Sequence, residues 1–453
     1  MNRFDIDFLL KATGGRLIRG KENLQIANFC IDSRTAKEGS LFIPIIGEKT
    51  DAHSFIPSVY EAGCRLVLSQ REEIEVPEGM SCILVSDTKK ALQDIASLHR
   101  ERIRIPLIGL SGSVGKTTTK EMAALALSAG KKVFKTPANQ NSQIGVPLTL
   151  LSIDEEAQIG VIEMGISEPG EMSKIAALVR PDSALITNIG SAHIMLLGSR
   201  EGIRDEKFHI MDRMKAGSCI FLNADDEILR SSSVYEGMRA VYFGRKKDGG
   251  AEAFATDISS EEGLYSFNAH VFGRSARVKL GVYGLHQVNN ALASLALASH
   301  YGVDLEEAAK KIESFTGFKH RQQILKRNGM LIIDDTYNAS PESMRAALAI
   351  LKNTQSKRKI AVLADMKELG EREEVIHREI GREIARSGLA DVVITYGDLA
   401  KKIGEECDRH YHFDSLEELQ GFIESFAGEK DALLYKGSNS MRLYQIVDLL
   451  YAK

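Results

Sequence analysis

A short apolar run that passes directly into a glycine-rich turn is the feature that most constrains how this chain folds. Residues 107–110, Leu-Ile-Gly-Leu, have the length and the hydrophobicity of a buried strand. The turn that follows, Ser-Gly-Ser-Val-Gly-Lys-Thr-Thr, occupies residues 111–118, and a helical pattern begins after it. A strand, a glycine-rich turn and a helix in this order are the setting of a phosphate-binding loop, which predicts a parallel α/β sheet.

This turn supplies the groups that hold a nucleoside triphosphate. Its glycines let backbone N–H groups close around phosphate oxygens, and the helix N-terminus adds the positive end of its dipole. Lys116 provides a charge for the β- and γ-phosphates, and the Thr117 hydroxyl is placed to ligate Mg²⁺. Leu110 stands where the strict pattern has its first glycine. We predict that ATP or GTP contacts Gly112, Ser113, Val114, Gly115, Lys116, Thr117 and Thr118.

Length and composition narrow the class of protein. A chain of 453 residues exceeds what one hydrophobic core supports and suggests about three domains. With 58 Lys and Arg against 62 Asp and Glu, the net charge of −4 provides no positive field for nucleic acid. The five cysteines are scattered and no run of about 20 apolar residues occurs. We therefore expect a cytoplasmic protein that neither binds nucleic acid nor inserts into a membrane.

The alternation of strand and helix patterns predicts an α/β protein of three domains. We place a small α/β domain at residues 1–104 and a central domain, with the phosphate-binding loop on a parallel sheet, at residues 105–319. Residues 320–453 are predicted to form a Rossmann-like α/β domain. Within the central domain, residues 238–282 alternate with period two, which predicts an antiparallel insertion, and a helix is expected at 286–300.

Three further side chains in the central domain are candidates for the chemistry. Glu163 ends an apolar strand and His193 follows another, so both are expected at the sheet edge where ligands bind in this fold class. A phosphate-binding loop in the same sheet favours Mg²⁺ as the partner of Glu163, although capping of the next helix is an alternative. Lys207 lies in a highly charged helical segment, where an ordinary solvated lysine is the simpler interpretation.

Taken together, these segments resemble the Mur ligases of bacterial cell-wall synthesis. The resembling central segments are 111–118, 136–147 and 163–165, with His193, Glu201 and Lys207 following in order. Segments 32–34, 39–42 and 47–56 are similar to the family's UDP-sugar-binding domain, and Arg321, 334–341, 364–370 and 436–438 to its third domain. His320 departs from the family, which commonly has glycine before the arginine. The likeness extends over nearly the whole chain.

The resemblance implies a reaction. Segments 139–147, 334–339 and 364–370 look like those of members that add D-alanyl-D-alanine to UDP-N-acetylmuramoyl-tripeptide in peptidoglycan precursor synthesis. The Asp-Asn-Pro-Arg motif of the diaminopimelate-adding relative is absent. Such an enzyme is an ATP-dependent, Mg²⁺-requiring ligase that works through an acyl phosphate. A monomer is expected.

The resemblance also assigns roles to residues. The catalytic set implied is Lys116, Glu163, His193, Lys207 and Arg321, and the Mg²⁺ ligands are Thr117, Glu163, His193 and a carbamylated Lys207. Arg321 would reach the γ-phosphate, Asn290 the adenine and Asp335 the ribose. The substrate-binding residues implied are Ser33, Arg34, Asp51, His53, Asn139, Asn141 and Asn338. Because Arg321 and Asp335 lie beyond the central domain, domain closure is expected to bring them to the nucleotide.

Other functions remain open at this point. Another Mur ligase or a folylpolyglutamate synthase would share the central domain, and a regulatory ATPase would share the phosphate-binding loop. A ligase releases phosphate only when both the carboxylate and the amine are present, whereas a switch hydrolyses ATP slowly without either.

Overall fold

The computed structural model of this protein describes residues 4–21, 23–247 and 250–452. Residues 1–3 and 453, at the ends of the outer predicted domains, residue 22, in the first predicted domain, and residues 248–249, in the predicted insertion, lie outside the described residues. The fold is mixed α/β with three large sheets, and the strands of each sheet come from one predicted domain. The three-domain α/β architecture is therefore confirmed, while the boundaries at 104/105 and 319/320 stay predictions.

The first domain is built on a five-stranded sheet in the order β2-β7-β6-β5-β4, in which only β2 is antiparallel to its neighbour. Asp87 starts the helix that covers this sheet, because its carboxylate accepts the N–H of Lys90 and so caps the first turn. The elements are β1 Phe4–Asp5, α1 Ile6–Thr13, β2 Arg16–Arg19, β3 Gln25–Ile26, β4 Asn28–Cys30, β5 Ser40–Phe42, α2 Ile56–Glu61, β6 Leu66–Ser69, β7 Ser81–Leu84 and α3 Thr88–Arg100.

The central domain holds a nine-stranded sheet in the order β16-β15-β14-β13-β12-β11-β8-β10-β9. Its elements are β8 Leu107–Ser111, α4 Lys116–Ser128, β9 Val133–Lys135, α5 Gly145–Leu151, β10 Ile159–Glu163, α6 Glu171–Val179, β11 Ser183–Ile186, α7 Ile194–Leu197, α8 Arg200–Phe208, β12 Cys219–Asn223, α9 Glu227–Ser231, β13 Arg239–Gly244, β14 Ala253–Glu261, β15 Leu264–Val271, β16 Arg274–Tyr283, α10 His286–His300 and α11 Leu305–Glu313. Strand β8 lies between β10 and β11, and all three run parallel, so their carboxyl ends meet at one edge.

The predicted antiparallel insertion at 238–282 is partly wrong. Strand β13 pairs in parallel with β12 and β14, and among the described residues of this segment only the β14–β15 and β15–β16 pairs are antiparallel. These strands extend the central sheet at one edge instead of forming a separate unit. Period-two alternation indicates only that one face of a strand is covered and the other is solvated. Strands added at the edge of a larger sheet and strands of a separate insertion both meet this condition.

The third domain has a six-stranded sheet in the order β17-β18-β22-β19-β20-β21, parallel except for β17. Apolar clusters cover both of its faces, as a Rossmann-like sheet requires. The elements are β17 Gln323–Arg327, β18 Met330–Asp335, α12 Pro341–Lys352, β19 Arg358–Ala364, α13 Glu373–Ser387, β20 Val392–Tyr396, α14 Ala400–Gly404, β21 His410–Phe413, α15 Leu416–Phe426, β22 Asp431–Lys436 and α16 Tyr444–Ala452.

The first and central domains share one apolar core. Helix α3 packs against α5 and α6, and Leu92 and Ile95 of α3 belong to the same buried cluster as Val146 and Ile175. Arg100 ends α3 and donates from Nε to the carbonyl of Val179 at 2.7 Å. A continuous core of this kind fixes the first domain against the central one.

None of the helices within residues 4–21, 23–247 and 250–452 combines the length and the apolar character that a membrane span requires.

Arg100 provides a test of this shared interface. Its guanidinium donates to three backbone carbonyls, those of Val179, Arg180 and Ile103, and the residue is 9% exposed. We expect Arg100→Ala to lower the free energy of unfolding by about 2–3 kcal/mol, because these buried acceptors lose a charged donor. Urea unfolding measures the change. Arg104→Ala, at an exposed position, is the control and should stay within about 0.5 kcal/mol of the wild type; equal effects of both would contradict this account.

Candidate active site

A cavity of about 750 Å³ lies between the carboxyl ends of β8, β10 and β11 and the third domain. Most of the predicted site residues line it. Those from the central domain are Ser113, Val114, Gly115, Lys116, Thr117, Thr118, Asn139, Asn141, Glu163, His193 and Asn290, and those from beyond it are Arg321, Asp335 and Asn338. Gly112, Lys207 and the four predicted residues of the first domain are outside this lining.

The glycine-rich turn has the backbone that its sequence predicts. Gly112 has φ +147°, and a Cβ at this position would lie 1.9 Å from the Thr187 hydroxyl oxygen. Gly115, with φ +84°, precedes the first turn of α4. Leu110, the departure from the strict motif, lies inside β8 and is fully buried. Position 110 therefore belongs to the strand here, and the loop needs glycine only from position 112 onward.

Lys116 folds back over this loop. Its ammonium donates to the carbonyl of Gly112 at 2.7 Å and to that of Ser113 at 3.3 Å. Burial lowers the pKa of Lys116, the Glu163 carboxylate opposes this shift, and Arg321 adds to it. Lys116 and Arg321 therefore place positive charge beside the Glu163 carboxylate in the cavity, an arrangement suited to a highly charged anion such as a polyphosphate.

Glu163 is the carboxylate at the centre of the site, and it is 1% exposed. Its Oε1 accepts from Asn141 Nδ2 at 2.8 Å and from Thr117 Oγ1 at 3.3 Å, whereas its Oε2 is buried and accepts no hydrogen bond from the residues that the structure describes. A carboxylate oxygen left in this state beside a threonine hydroxyl fits a hard divalent cation. Within the described part of the chain, three or more His, Cys, Asp or Glu side chains do not cluster as a ready-made metal site. Phosphate oxygens would have to supply ligands here, as is usual for Mg²⁺.

Lys120 also belongs to this site, although it is not among the predicted site residues. It is fully buried, and its ammonium donates to the carbonyls of Thr136 and Ala138, both at 2.9 Å. The same ammonium lies 3.5 Å from Glu163 Oε2. Lys120 thus offsets the buried charge of Glu163 and holds the loop that carries Asn139 and Asn141. Its spacing of four residues from Lys116, on one helix face, was the available signal.

His193 and Lys207 lie near the same charges. His193 has φ +65°, and its Nδ1 lies 3.0 Å from Glu368 Oε2 of the third domain. Lys207, on α8, is 2% exposed, so the simpler interpretation of a solvated lysine is wrong. Burial and the neighbouring Lys116 charge hold the pKa of the Lys207 amine well below its usual value.

The third domain supplies the opposite wall of the cavity. The Arg321 guanidinium stacks over the Tyr337 ring at 3.7 Å, and the Tyr337 hydroxyl accepts from Asn139 Nδ2 at 3.0 Å. Asp335 accepts from the buried ammonium of Lys436 at 2.6 Å. The expected approach of Arg321 and Asp335 to the phosphate-binding loop is therefore present in this structure.

Two other predicted polar residues make contacts within their own domains. Asn290 donates from Nδ2 to Gln287 at 2.8 Å and accepts from the Thr119 hydroxyl at 3.1 Å, next to Gly115. The Asn338 side chain accepts the N–H of Ala339 at 2.9 Å. Both line the cavity, so neither contact removes them from reach of a ligand.

The four predicted residues of the first domain form a separate group. Asp32 accepts the N–H of Arg34, and the two side chains pair at 2.6 Å in a short turn, Ser33–Thr35, that contacts α2. Asp51 accepts from His53 Nδ1 at 2.6 Å in the turn that leads into α2, and His53 is 5% exposed. The buried His53 side chain thus stabilises the conformation of this turn. Whether Ser33, Arg34, Asp51 and His53 bind substrate stays a prediction.

Comparison with known proteins establishes the family to which this chain belongs. Residues 110–298 match the Mur ligase middle domain, and residues 320–439 match the family described as Mur ligase, glutamate ligase domain. The UDP-N-acetylmuramoyl-tripeptide–D-alanyl-D-alanine ligase of Bacillus subtilis (strain 168) is 36% identical over 436 residues, which cover 94% of this chain and 93% of that protein. The chain belongs to the Mur ligase family.

Other members of the Mur ligase family are similar to this protein over nearly its whole length. The ligase of the same name from Synechocystis sp. is 34% identical and covers 100% of this chain and 98% of its own length. The crystal structure of MurF from Acinetobacter baumannii is 31% identical, covers 100% of both chains and superimposes with a TM-score of 0.91. MurF ligase from Thermotoga maritima, solved in complex with ADP, is 28% identical, covers 94% of this chain and 97% of its own, and has a TM-score of 0.82. This Mur ligase thus shares its three-domain architecture with MurF.

Gly112 tests the phosphate-binding loop of this Mur ligase. Gly112→Ala would place a methyl group against Thr187, whose hydroxyl holds the carbonyl of Val114 at 2.6 Å. We expect the affinity for an ATP analogue, measured by calorimetry, to fall at least about tenfold, because the loop must shift. Gly421→Ala is the control, since nothing lies within 4 Å of an added Cβ there. Unchanged nucleotide binding by Gly112→Ala would exclude this loop as the phosphate site.

Proposed function

We propose that this Mur ligase adds D-alanyl-D-alanine to UDP-N-acetylmuramoyl-tripeptide at the expense of ATP, as its relatives' names describe. The observation that carries the proposal is a single cavity in which Lys116 and Glu163 face Arg321 and Asp335. Two domains must meet there to enclose a triphosphate and a carboxylate. The proposed setting is the cytoplasm, and the proposed state is a monomer.

The proposed chemistry has two steps, because a carboxylate is a poor electrophile. One oxygen of the tripeptide's terminal carboxylate attacks the γ-phosphorus of ATP, the bond to the β-phosphate oxygen breaks, and ADP leaves. The neutral amine of the dipeptide then attacks the acyl phosphate carbon. Collapse of the tetrahedral intermediate releases phosphate, and loss of a proton from nitrogen leaves the amide. Lys116 and Arg321 offset the negative charge that develops around the transferred phosphoryl group.

Mg²⁺ is the proposed metal ion, and Thr117, Glu163 and His193 are the residues that would hold it. Three observations support this set: Glu163 Oε2 is buried and accepts no hydrogen bond from any described residue, the Thr117 hydroxyl is adjacent, and His193 lines the same cavity. When bound, Mg²⁺ withdraws charge from the phosphate oxygens.

Lys207 is proposed to act as a carbamate. Carbamylation joins the nitrogen of a neutral amine to the carbon of carbon dioxide and releases a proton. The burial of Lys207 beside Lys116 lowers the pKa of its amine, which favours the neutral form. Within the described chain, this amine makes neither a hydrogen bond nor an ion pair that would occupy it. The carbamate would convert a buried cation into an anion next to Lys116, where Mg²⁺ could share it.

The remaining proposed roles depend on whether a residue lines the cavity or lies in the first domain. Asn290, beside Gly115, is proposed to contact the adenine and Asp335 the ribose. Asn139, Asn141 and Asn338 line the cavity and are proposed to bind the peptide end of the UDP-linked substrate. Ser33, Arg34, Asp51 and His53 are proposed to bind its nucleotide end, in the domain that α3 fixes against the cavity-bearing domain.

Product analysis tests the function. Incubation with UDP-N-acetylmuramoyl-tripeptide, D-alanyl-D-alanine, ATP and Mg²⁺ should yield the UDP-linked pentapeptide by mass spectrometry. With ¹⁸O in the tripeptide's terminal carboxylate, the label should appear in the released phosphate, because that oxygen becomes the acyl phosphate bridge. Release of phosphate without either acceptor would indicate a regulatory ATPase, and a product with another amino acid would indicate a different Mur ligase.

Lys207→Ala tests the carbamate. We expect the ligation rate to fall at least about a hundredfold, and short carboxylic acids to restore part of it by supplying the missing anion. The matched control is Lys215→Ala, an exposed lysine of the same domain, which should neither lose activity nor respond to the acids. A fully active Lys207→Ala enzyme, or one that the acids do not rescue, would argue against carbamylation.

A further inference from the structure

The loop that carries His193 is held firmly at its start by the central domain. It follows β11, and the N–H of Ile189 donates to Asp226 Oδ2 at 2.7 Å. The carbonyl of Ile189 accepts from the Arg200 guanidinium, also at 2.7 Å. Asn188 accepts the N–H of Val114 at 2.9 Å, which ties the same end to the phosphate-binding loop. Residues 188–189 are thus fixed whether or not the third domain is near.

The next part of this loop, residues 190–193, contacts the third domain. The N–H and the hydroxyl of Ser191 both donate to Glu342 Oε1, each at 2.9 Å. Gly190 permits this approach, because a Cβ there would lie 2.9 Å from Glu342 Cδ. His193 Nδ1 meets Glu368, again from the third domain.

Glu342 itself is held rigidly and lies outside the cavity. It occupies the second position of α12, whose first turn is closed by a capping box between Ser340 and Ser343. Its Oε2 is buried and, among the described residues, accepts no hydrogen bond. Burial of a carboxylate costs desolvation free energy, which hydrogen bonds must offset. For Glu342 these hydrogen bonds come from Ser191.

We propose that Glu342 is a positioning residue for phosphoryl transfer: by binding Ser191 when the third domain docks, it sets the loop that places His193 in the cavity. The inference rests on the proposed ligation reaction. Docking of the third domain would then contribute to the site in two ways: it would bring Arg321 into the cavity, and it would fix the position of His193. Phosphoryl transfer would be fast only in the closed enzyme, which limits transfer to water before the substrates are enclosed.

Kinetics of four variants test the proposal. Glu342→Ala is expected to lower kcat about tenfold while KM for ATP stays within about twofold, because the phosphate-binding loop is untouched. Ser191→Ala, which keeps its N–H, should lower kcat about threefold, and the double variant should be no slower than Glu342→Ala. Glu342→Gln keeps an oxygen at the same reach and should remain within about threefold of the wild type.

Glu417→Ala is the matched control. Glu417 holds the same second position in α15, behind a serine N-cap, and is exposed, so its removal changes the helix terminus alone. Its kcat should equal that of the wild type. Independent effects of Glu342→Ala and Ser191→Ala, which would multiply to about thirtyfold, would overturn the proposal. So would a kcat of Glu342→Ala equal to that of the control.

Hydrogen exchange separates this inference from the proposed reaction. In protein saturated with a non-hydrolysable ATP analogue and UDP-N-acetylmuramoyl-tripeptide, the amides of residues 190–196 should exchange faster in Glu342→Ala than in Glu417→Ala, while those of 188–189 should not differ. This result needs no turnover, so it stands even if the ligation product proves to be another. Equal exchange at 190–196 in both variants would show that Glu342 does not hold the loop.

Discussion

A buried carboxylate next to a phosphate-binding loop is the constraint on which the rest of this site depends. Glu163 is taken out of water at the end of β10, which is costly unless positive charge and donors surround it. Lys120, Asn141 and Thr117 provide them from two further segments of the central domain. The strand end, the 136–141 loop and α4 are therefore fixed to one another before any ligand binds, which lowers the reorganisation that a reaction requires.

Local patterns predicted the parts of the fold that depend on neighbouring residues. Strand β8, the turn at 112–115 and helix α10 at His286–His300 were predicted closely, because apolar period and glycine placement act within a few residues. Glu163 and His193 were predicted at the sheet edge from their position after apolar runs. The parallel sheet then brings such ends together without any further signal in the sequence.

Tertiary packing decides what the sequence could not show. The segment that holds Lys207 is rich in charged residues, which predicts a solvated helix, yet α8 packs against α6 and α7 and buries that lysine. Lys120 and Glu342 carry no motif, since their importance lies in acceptors and donors from distant segments. The parallel pairing of β13, residues 239–244, was not predicted for the same reason. The neighbouring strands of the sheet determine this pairing, and the alternation within β13 does not.

Backbone strain marks the junction between the central and third domains. His320 and Gln322 have φ +65° and +54°, a conformation that costs a residue other than glycine about 1–3 kcal/mol. His320 stands where the family commonly has glycine, and its Nδ1 lies 2.8 Å from Asp334 Oδ2, a contact that helps to hold this backbone. Arg321 lies between the two strained residues. Any rotation of the third domain about this junction must therefore move the Arg321 guanidinium, which lines the cavity. The hinge of such a rotation and the positive charge that it would carry into the cavity thus lie in the same short segment.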